Sequence, residues 1–285
     1  MKGKVAHAVM TMPVRWQMKQ AVCDAYEAKN SPSSVLHGHH HFLLTLITRG
    51  HGIQILNGRE IPFGPNDLFL LSPADFHQNT LPIGESFDHF GVRFPYELLD
   101  ARLSEFCALD RFPMHLHLSD RSAAVARTVF AQLVEESRYG ADRPANRVYL
   151  QSLVEQLFII ALREMPADCT AGSDVFINKA LGYLHSHFYE AITVSDAAAY
   201  AGYTPNYFNT CFREQMGVPF GAYLRQTRLT YAQNLLRASK MSVTEIALES
   251  GFGSLSHFSR SFHEVYGVSP LEYRNSIVKQ ESKPV

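Results

Sequence analysis

The chain has 285 residues with 26 Lys/Arg against 27 Asp/Glu, a net charge of -1. That length allows about two domains, and so balanced a charge gives no overall case for a polyanionic partner. No apolar run reaches the ~20 residues that cross a bilayer, and the basic start MKGKVAHAVMTMPVRW lacks a secretory core, so the expected location is the cytoplasm, with no membrane partner.

The first third reads as β. FLLTLITRGHGIQILNGREIPF is an apolar run followed by alternation at Ile53 and Ile55, then Asn57-Gly58. Asn-Gly between strand-like runs is the strongest short hairpin signal, because both turn positions need positive φ. Pro65-Asn66 suits the centre of a type II turn, LFLL reads as a buried strand, and SFDHFGVRF as another. Several short strands with such turns predict a small barrel or sandwich. Four cysteines (Cys23, Cys107, Cys169, Cys211) are too scattered for a paired metal motif and read as reduced thiols.

From about Tyr96 the pattern turns helical. RSAAVARTVFAQLVEES follows a Ser119-Asp120 cap. In ANRVYLQSLVEQLFIIALRE, Leu150, Leu153, Leu157 and Ile160 form a helical stripe that Val154, Phe158 and Ala161 widen. So broad a stripe has two surfaces to bury, one on the barrel and one on a second subunit, or both within its own domain. PADCTAGSD, residues 166–174, is a linker by composition. The organisation is therefore a domain 1–165, the linker 166–174, a helical domain 175–276 and a frayed tail 277–285.

The helical domain repeats itself. Val194, Gly202 and Tyr203 match Val243, Gly251 and Phe252 at an offset of 49; after one inserted residue, Phe208, Phe212, Gly217 and Tyr223 match Phe258, Phe262, Gly267 and Tyr273 at an offset of 50. Each copy has a cap (Ser195, Thr244) beside an acid (Asp196, Glu245), a short helix, a Gly that ends it, an aromatic plugging the turn, and a second helix with Phe at i and i+4. Helix, tight turn, helix is the helix-turn-helix pattern, whose second helix enters the DNA major groove.

Opposite the Phe pairs lie Asn206, Asn209, Thr210 and Arg213 in the first copy and Ser256, Ser259, Arg260 and His263 in the second, at the same spacing. These side chains suit base edges and phosphates. Residues 175–285 hold 10 Lys/Arg and 8 Asp/Glu, so the case for DNA rests on placement and not on charge excess. Phe220 to Ser239 reads as one helix of about 30 Å, near the ~34 Å between successive major-groove faces. Arg225 and Arg228 on it either reach phosphate or are solvated.

Ala247, Ser250-Gly251-Phe252, Ser254, Phe258, Arg260, Phe262, Gly267, Ser269-Pro270 and Tyr273-Arg274 resemble the signature of the AraC/XylS family of bacterial transcription factors, over Val175 to Asn275. The resemblance implies a sequence-specific regulator, usually an activator, that reads two adjacent grooves of double-stranded promoter DNA and contacts RNA polymerase. It also implies a homodimer, a small-molecule effector such as a carbohydrate, and no catalytic residues. More loosely, His37, His39, Gly50, Asn57-Gly58, GPND, LFLLSP and His77 resemble the cupin-like barrel that carries the effector in such proteins. The fold class expected is α+β: a cupin-like β-barrel with flanking helices, then an all-α domain with two helix-turn-helix motifs.

HGHHH raises a rival reading. Cupin metalloenzymes place two His on one strand, a Glu shortly after, and a third His on a later strand. His37, His39 and His77 fit three of those places, but no acid stands near Leu43. The reading adopted gives these three histidines to the effector pocket and expects neither metal nor cofactor. The alternative is a cupin metalloenzyme with an appended helix-turn-helix module.

Overall fold

A computed structural model describes residues 23–39, 41–99, 115–139, 143–165 and 175–281; the expected linker 166–174 lies outside them, as do Cys107 and Cys169. Nine strands form two antiparallel sheets. One has the order β1-β8-β3-β6-β9, built from Asp24–Ser31, Phe87–Phe94, Phe42–Arg49, Asp67–Leu71 and His115–His117. The other has the order β2-β7-β4-β5, built from His37–Gly38, Phe76–Thr80, Gly52–Leu56 and Arg59–Phe63.

The apolar runs are continuous because the first sheet is covered on both faces. On β3, Phe42, Leu44 and Leu46 turn to a core shared with two helices, α1 (Asp120–Tyr139) and α2 (Asn146–Glu164). Leu43, Thr45 and Ile47, one residue out of step, face the space between the sheets. Phe90 stacks on Phe130 of α1 at 5.6 Å, and Phe94 meets Phe158 of α2 edge-on at 5.7 Å. The broad stripe of α2 is thus buried within its own domain: Leu150, Leu153, Val154, Leu157, Phe158 and Ala161 all belong to this core. The turns form as their sequences demand. Asn57 and Gly58 have φ of 49° and 83° and join β4 to β5, and Asn66 has φ 74°.

The helical domain contains α3 (Val175–His187), α4 (Val194–Ala201), α5 (Pro205–Met216), α6 (Phe220–Ala238), α7 (Val243–Glu249), α8 (Leu255–Tyr266) and α9 (Pro270–Glu281). α4–α5 and α7–α8 are the two copies, and α6 joins them. Phe208, Phe212, Phe258 and Phe262 are each 0% exposed, each worth roughly 1.5–3 kcal/mol of burial. The last helix, capped at its start by Ser269, whose N–H donates to Glu272 at 2.8 Å, runs to Glu281, five residues beyond the expected limit of 276.

The caps differ from expectation. Thr193 and Ser242, not Ser195 and Thr244, stand at the helix starts, and Asp196 and Glu245 bond back to them at 2.8 and 2.7 Å. The T-x-x-D and S-x-x-E spacing lets two end groups satisfy each other, which a cap adjacent to its acid cannot do. The turn glycines also differ from one another. Gly202 (φ 84°) has open space where a Cβ would stand, whereas a Cβ on Gly251 (φ 79°) would lie 2.6 Å from the Phe188 carbonyl oxygen and 2.8 Å from Arg228 Nε. Gly202→Ala is therefore expected to cost about 1–2 kcal/mol from left-handed strain alone, and Gly251→Ala distinctly more. Urea unfolding of the two variants compares them directly; equal losses would contradict the close approach at Gly251.

Candidate nucleic-acid interface and effector cavity

α5 and α8 each show one inward apolar edge and one outward polar edge. Asn206, Thr210 and Arg213 are exposed on α5, and Ser256, Arg260 and His263 on α8. Among the described residues neither Arg213 nor Arg260 enters a salt bridge, unlike Arg225, which pairs with Glu264 at 3.2 Å. Two of the eight predicted residues sit differently. Asn209 and Ser259 are only half-exposed, and Asn209 Oδ1 accepts from the Phe220 N–H at 3.4 Å, capping the start of α6. Both lie beside their Phe pair, one step round the helix from the outer edge.

The sequence reading missed an aromatic pair at the head of α5. Tyr203 does not plug its turn as Phe252 does. It is 41% exposed, where Phe252 is 3%, and it stacks on Tyr207 at 5.3 Å. The matched pair in the second copy is Phe252 and His257, at 5.5 Å. The repeat alignment held the signal, since Tyr207 and His257 occupy equivalent places.

Neither predicted role for Arg228 fits. It donates from Nε to the Phe188 carbonyl and from its terminal nitrogen to the Glu190 carbonyl, both at 2.6 Å, and so ties α6 to the chain leaving α3. With Gly251 against the same carbonyl, it seats the second copy on the body of the domain. The expected length of the joining helix holds: α6 has 19 residues, about 28 Å.

In the first domain, a cavity of about 260 Å³ opens between the two sheets. His37, His39 and His77 all line it, as do Tyr26, Thr45, Gln54, Asn79, His89 and Arg93. β2 pairs with β7 so that His37 faces His77, rings 4.3 Å apart, while His39 Nε2 lies 3.1 Å from His77 Nε2. Burial, and then the neighbouring histidines, hold the His77 pKa well below the ordinary imidazole value. Burial lowers that of His37 and brings His89 to about 4, so at these three the cavity disfavours the charged imidazole. Arg93 is the cationic member, held by Asp24 at 2.9 Å and lying 4.7 Å over the Tyr26 ring. Thr45, His89 and Arg93 were not legible as lining residues, because their grouping depends on which strands neighbour one another.

The residue before His77 belongs to a different neighbourhood. Phe76 is 0% exposed and meets Tyr231 of α6 at 5.3 Å. Tyr231 in turn meets Phe188 at 4.9 Å. Gly38, across the strand pair from Phe76, leaves room for that ring: a Cβ at 38 would come within 2.9 Å of it. Asn57 fixes the register from the hairpin turn, accepting from the Phe76 N–H at 3.0 Å and donating to Asp75 at 2.7 Å. One short strand therefore shows a histidine to the cavity and a phenylalanine to the helical domain.

A polar cavity in a barrel, joined to two outward-facing helix-turn-helix units, defines a ligand-responsive DNA-binding protein. Residues 24–158 match the family profile of the AraC-like ligand binding domain, and residues 197–276 match that of a helix-turn-helix domain. The HTH-type transcriptional activator RhaS of Klebsiella pneumoniae (strain 342) is 25% identical over 251 residues, 85% of this chain and 89% of that protein. An uncharacterized HTH-type transcriptional regulator of Staphylococcus aureus is 27% identical over 173 residues, 58% of this chain, which spans only 23% of that protein's length. Among solved structures, ToxT from Vibrio cholerae O395 aligns at 16% identity over 90% of this chain and 97% of its own, with a TM-score of 0.42. The chain belongs to the AraC family: it is a DNA-binding transcription regulator with a ligand-binding domain. Its relatives are transcription regulators, which sets the metalloenzyme alternative aside. Among the described residues no helix is long and apolar enough to cross a membrane.

Arg225 and Arg228 of α6 separate by their partners. Arg228→Ala removes a part-buried bond to the Phe188 carbonyl and an exposed one to the Glu190 carbonyl and is expected to destabilise the fold by about 1–3 kcal/mol. Arg225→Ala breaks an exposed pair and should cost less than about 1 kcal/mol. Thermal unfolding of both variants without DNA checks the difference.

Proposed function

We propose that the protein activates transcription by laying α5 and α8 in adjacent major grooves of promoter DNA, and that a small polar metabolite in the barrel cavity alters that binding. The observation that carries the reading is the second polar edge. One helix with an outward Asn-Thr-Arg row is ordinary, but two, each braced by a buried Phe pair and joined by a rigid helix of about one DNA turn, suit a duplex. The outermost residues, Asn206, Thr210, Arg213, Ser256, Arg260 and His263, take the reading role. Asn209 and Ser259 contribute less, Asn209 chiefly through its cap. The relative from K. pneumoniae is named a transcriptional activator, which favours activation through contact with RNA polymerase. In this reading the protein works in the cytoplasm as a homodimer, through the first domain's helices. The domain limits proposed are 1–165 and 175–276, with 166–174 as the linker.

The cavity is small for a ligand site, since such sites commonly span about 300–1,000 Å³. Its lining of Thr, Gln, Asn, His and Arg suits a compact, oxygen-rich metabolite such as a sugar or a hydroxy acid. A ligand there can act on DNA binding only if its affinity differs between two arrangements of the domains. Phe76 supports such a coupling, because movement of β7 at His77 also moves the ring that rests on Tyr231.

Arg260→Ala is expected to weaken operator binding by about 1–3 kcal/mol, roughly 5- to 150-fold, and to leave the fold intact. Gel-shift titration at several salt concentrations measures it; unchanged affinity in a folded variant would remove α8 from the interface. Phe76→Ala is expected to leave metabolite binding in place and to abolish the metabolite's effect on operator affinity. If the variant's DNA binding still responds as the parent's does, the coupling runs elsewhere.

A further inference from the structure

The cavity contains a cluster that a purely hydrogen-bonding effector leaves unexplained. His37 of β2, His39 just past its end and His77 of β7 each bring one ring nitrogen within 4.8 Å of the other two. At 3.1 Å, His39 Nε2 and His77 Nε2 satisfy each other only if one carries the proton and the other accepts. His77, 7% exposed, also buries its Nδ1 without a hydrogen-bond partner, a state that ordinarily costs about 1–3 kcal/mol. Three imidazoles converging from two strands, with an orphaned polar atom among them, are poorly explained as packing.

The donor set is chemically selective. Its three members are all nitrogen donors with no carboxylate among them, which suits zinc, nickel or copper and not the oxygen-seeking magnesium and calcium. His37 is already oriented: its Nδ1 lies 2.8 Å from the Val35 carbonyl oxygen, so that nitrogen donates and Nε2 keeps its lone pair. This is the outer-shell arrangement that fixes the tautomer of a ligating histidine. Gly38 between His37 and His39 keeps β2 close against Phe76, and the pairing of His37 with His77 holds the two strands in register.

We propose that His37, His39 and His77 bind one divalent first-row transition ion of the zinc or nickel class, with its open coordination position turned to the cavity. Three protein ligands and one exchangeable position give an ion that can accept an oxygen of an incoming molecule. The ion would thus be the point at which the regulator grips its effector. The proposal deepens the effector reading above and rests on it for its role, though the binding of the ion can be tested alone.

The test uses the untagged full-length chain, stripped with a chelator and titrated with Co²⁺ alone and then Zn²⁺ alone. The expected result is one Co²⁺ per chain with the visible absorption of a nitrogen-ligated ion, displaced by one equivalent of Zn²⁺, with a rise in Tm. His39→Ala is expected to lower affinity about a hundredfold or more, since even outer-shell changes cost 10–100-fold. His77→Asn should do the same, its melting curve in chelator reporting whether it is folded. His117→Gln, an exposed histidine on β9 outside the cluster, should bind as the parent does. Absence of binding at micromolar Co²⁺ and Zn²⁺, or unchanged binding in His39→Ala, overturns the site. If the stripped protein is then still stabilised by a metabolite, the effector reading stands without the ion; if metabolites also fail, both fall.

Discussion

Neighbouring residues of a strand point to opposite faces, and the proposed coupling between cavity and DNA-binding helices depends on that constraint at one place. At Phe76-His77 the alternation puts a cavity group and an inter-domain contact 3.8 Å apart along the chain. The flanking sequence serves this arrangement. Gly38 makes space for the Phe76 ring, Asn57 and Asp75 hold the strand's entry, and Tyr231 receives the ring on the far side. No long lever is needed between a bound molecule and the DNA-binding helices. The wall of the cavity is itself the surface on which α6 rests.

A second contact joins the domains near the turn at Tyr96–Leu98, where Glu97 stands 3.9 Å from His187 of α3. That pair is partly exposed and weak in water, whereas the Phe76, Tyr231 and Phe188 rings are fully buried. The aromatic junction therefore sets how the domains sit, and the ion pair adjusts it at most. Burial also raises the Tyr231 pKa, so the phenol stays neutral across the physiological range and adds no charge to the junction.

The helical domain was legible in the sequence almost element by element, because its signals are local. Gly202 and Gly251, the Phe pairs and the 49- and 50-residue offsets each fix a helix end or a buried face without reference to distant residues. The capping boxes are present in the same letters but start two residues earlier than expected, because the acid stands at N3 and reaches back to the cap instead of lying beside it. Arg228 could not be read, since the carbonyls it binds are about 40 residues away in the chain. In the barrel, the Asn57-Gly58 hairpin and the covered strands were clear for the same local reason. The grouping of His37 and His39 with His77 came only through resemblance, and the companions Thr45, His89 and Arg93 came from strand order, which no short pattern encodes. The two-faced helix α2 shows the opposite limit: its stripe was read correctly, but sequence alone could not say that one domain buries nearly all of it.

The unequal surroundings of Gly202 and Gly251 make the two copies mechanically different parts. The second is keyed: its turn is pressed to the Phe188 carbonyl and locked by Arg228, so its reading helix keeps a fixed bearing relative to the sensor. The first has open space beside Gly202, and it is steadied by its own Phe core and by Phe176 of α3, which meets Tyr203 of the turn and Phe208. On a duplex whose groove spacing varies with sequence, the keyed copy would define the angle of approach and the looser one would absorb the mismatch. On that reading the molecule would grip DNA as a vice does, with one fixed jaw and one that adjusts.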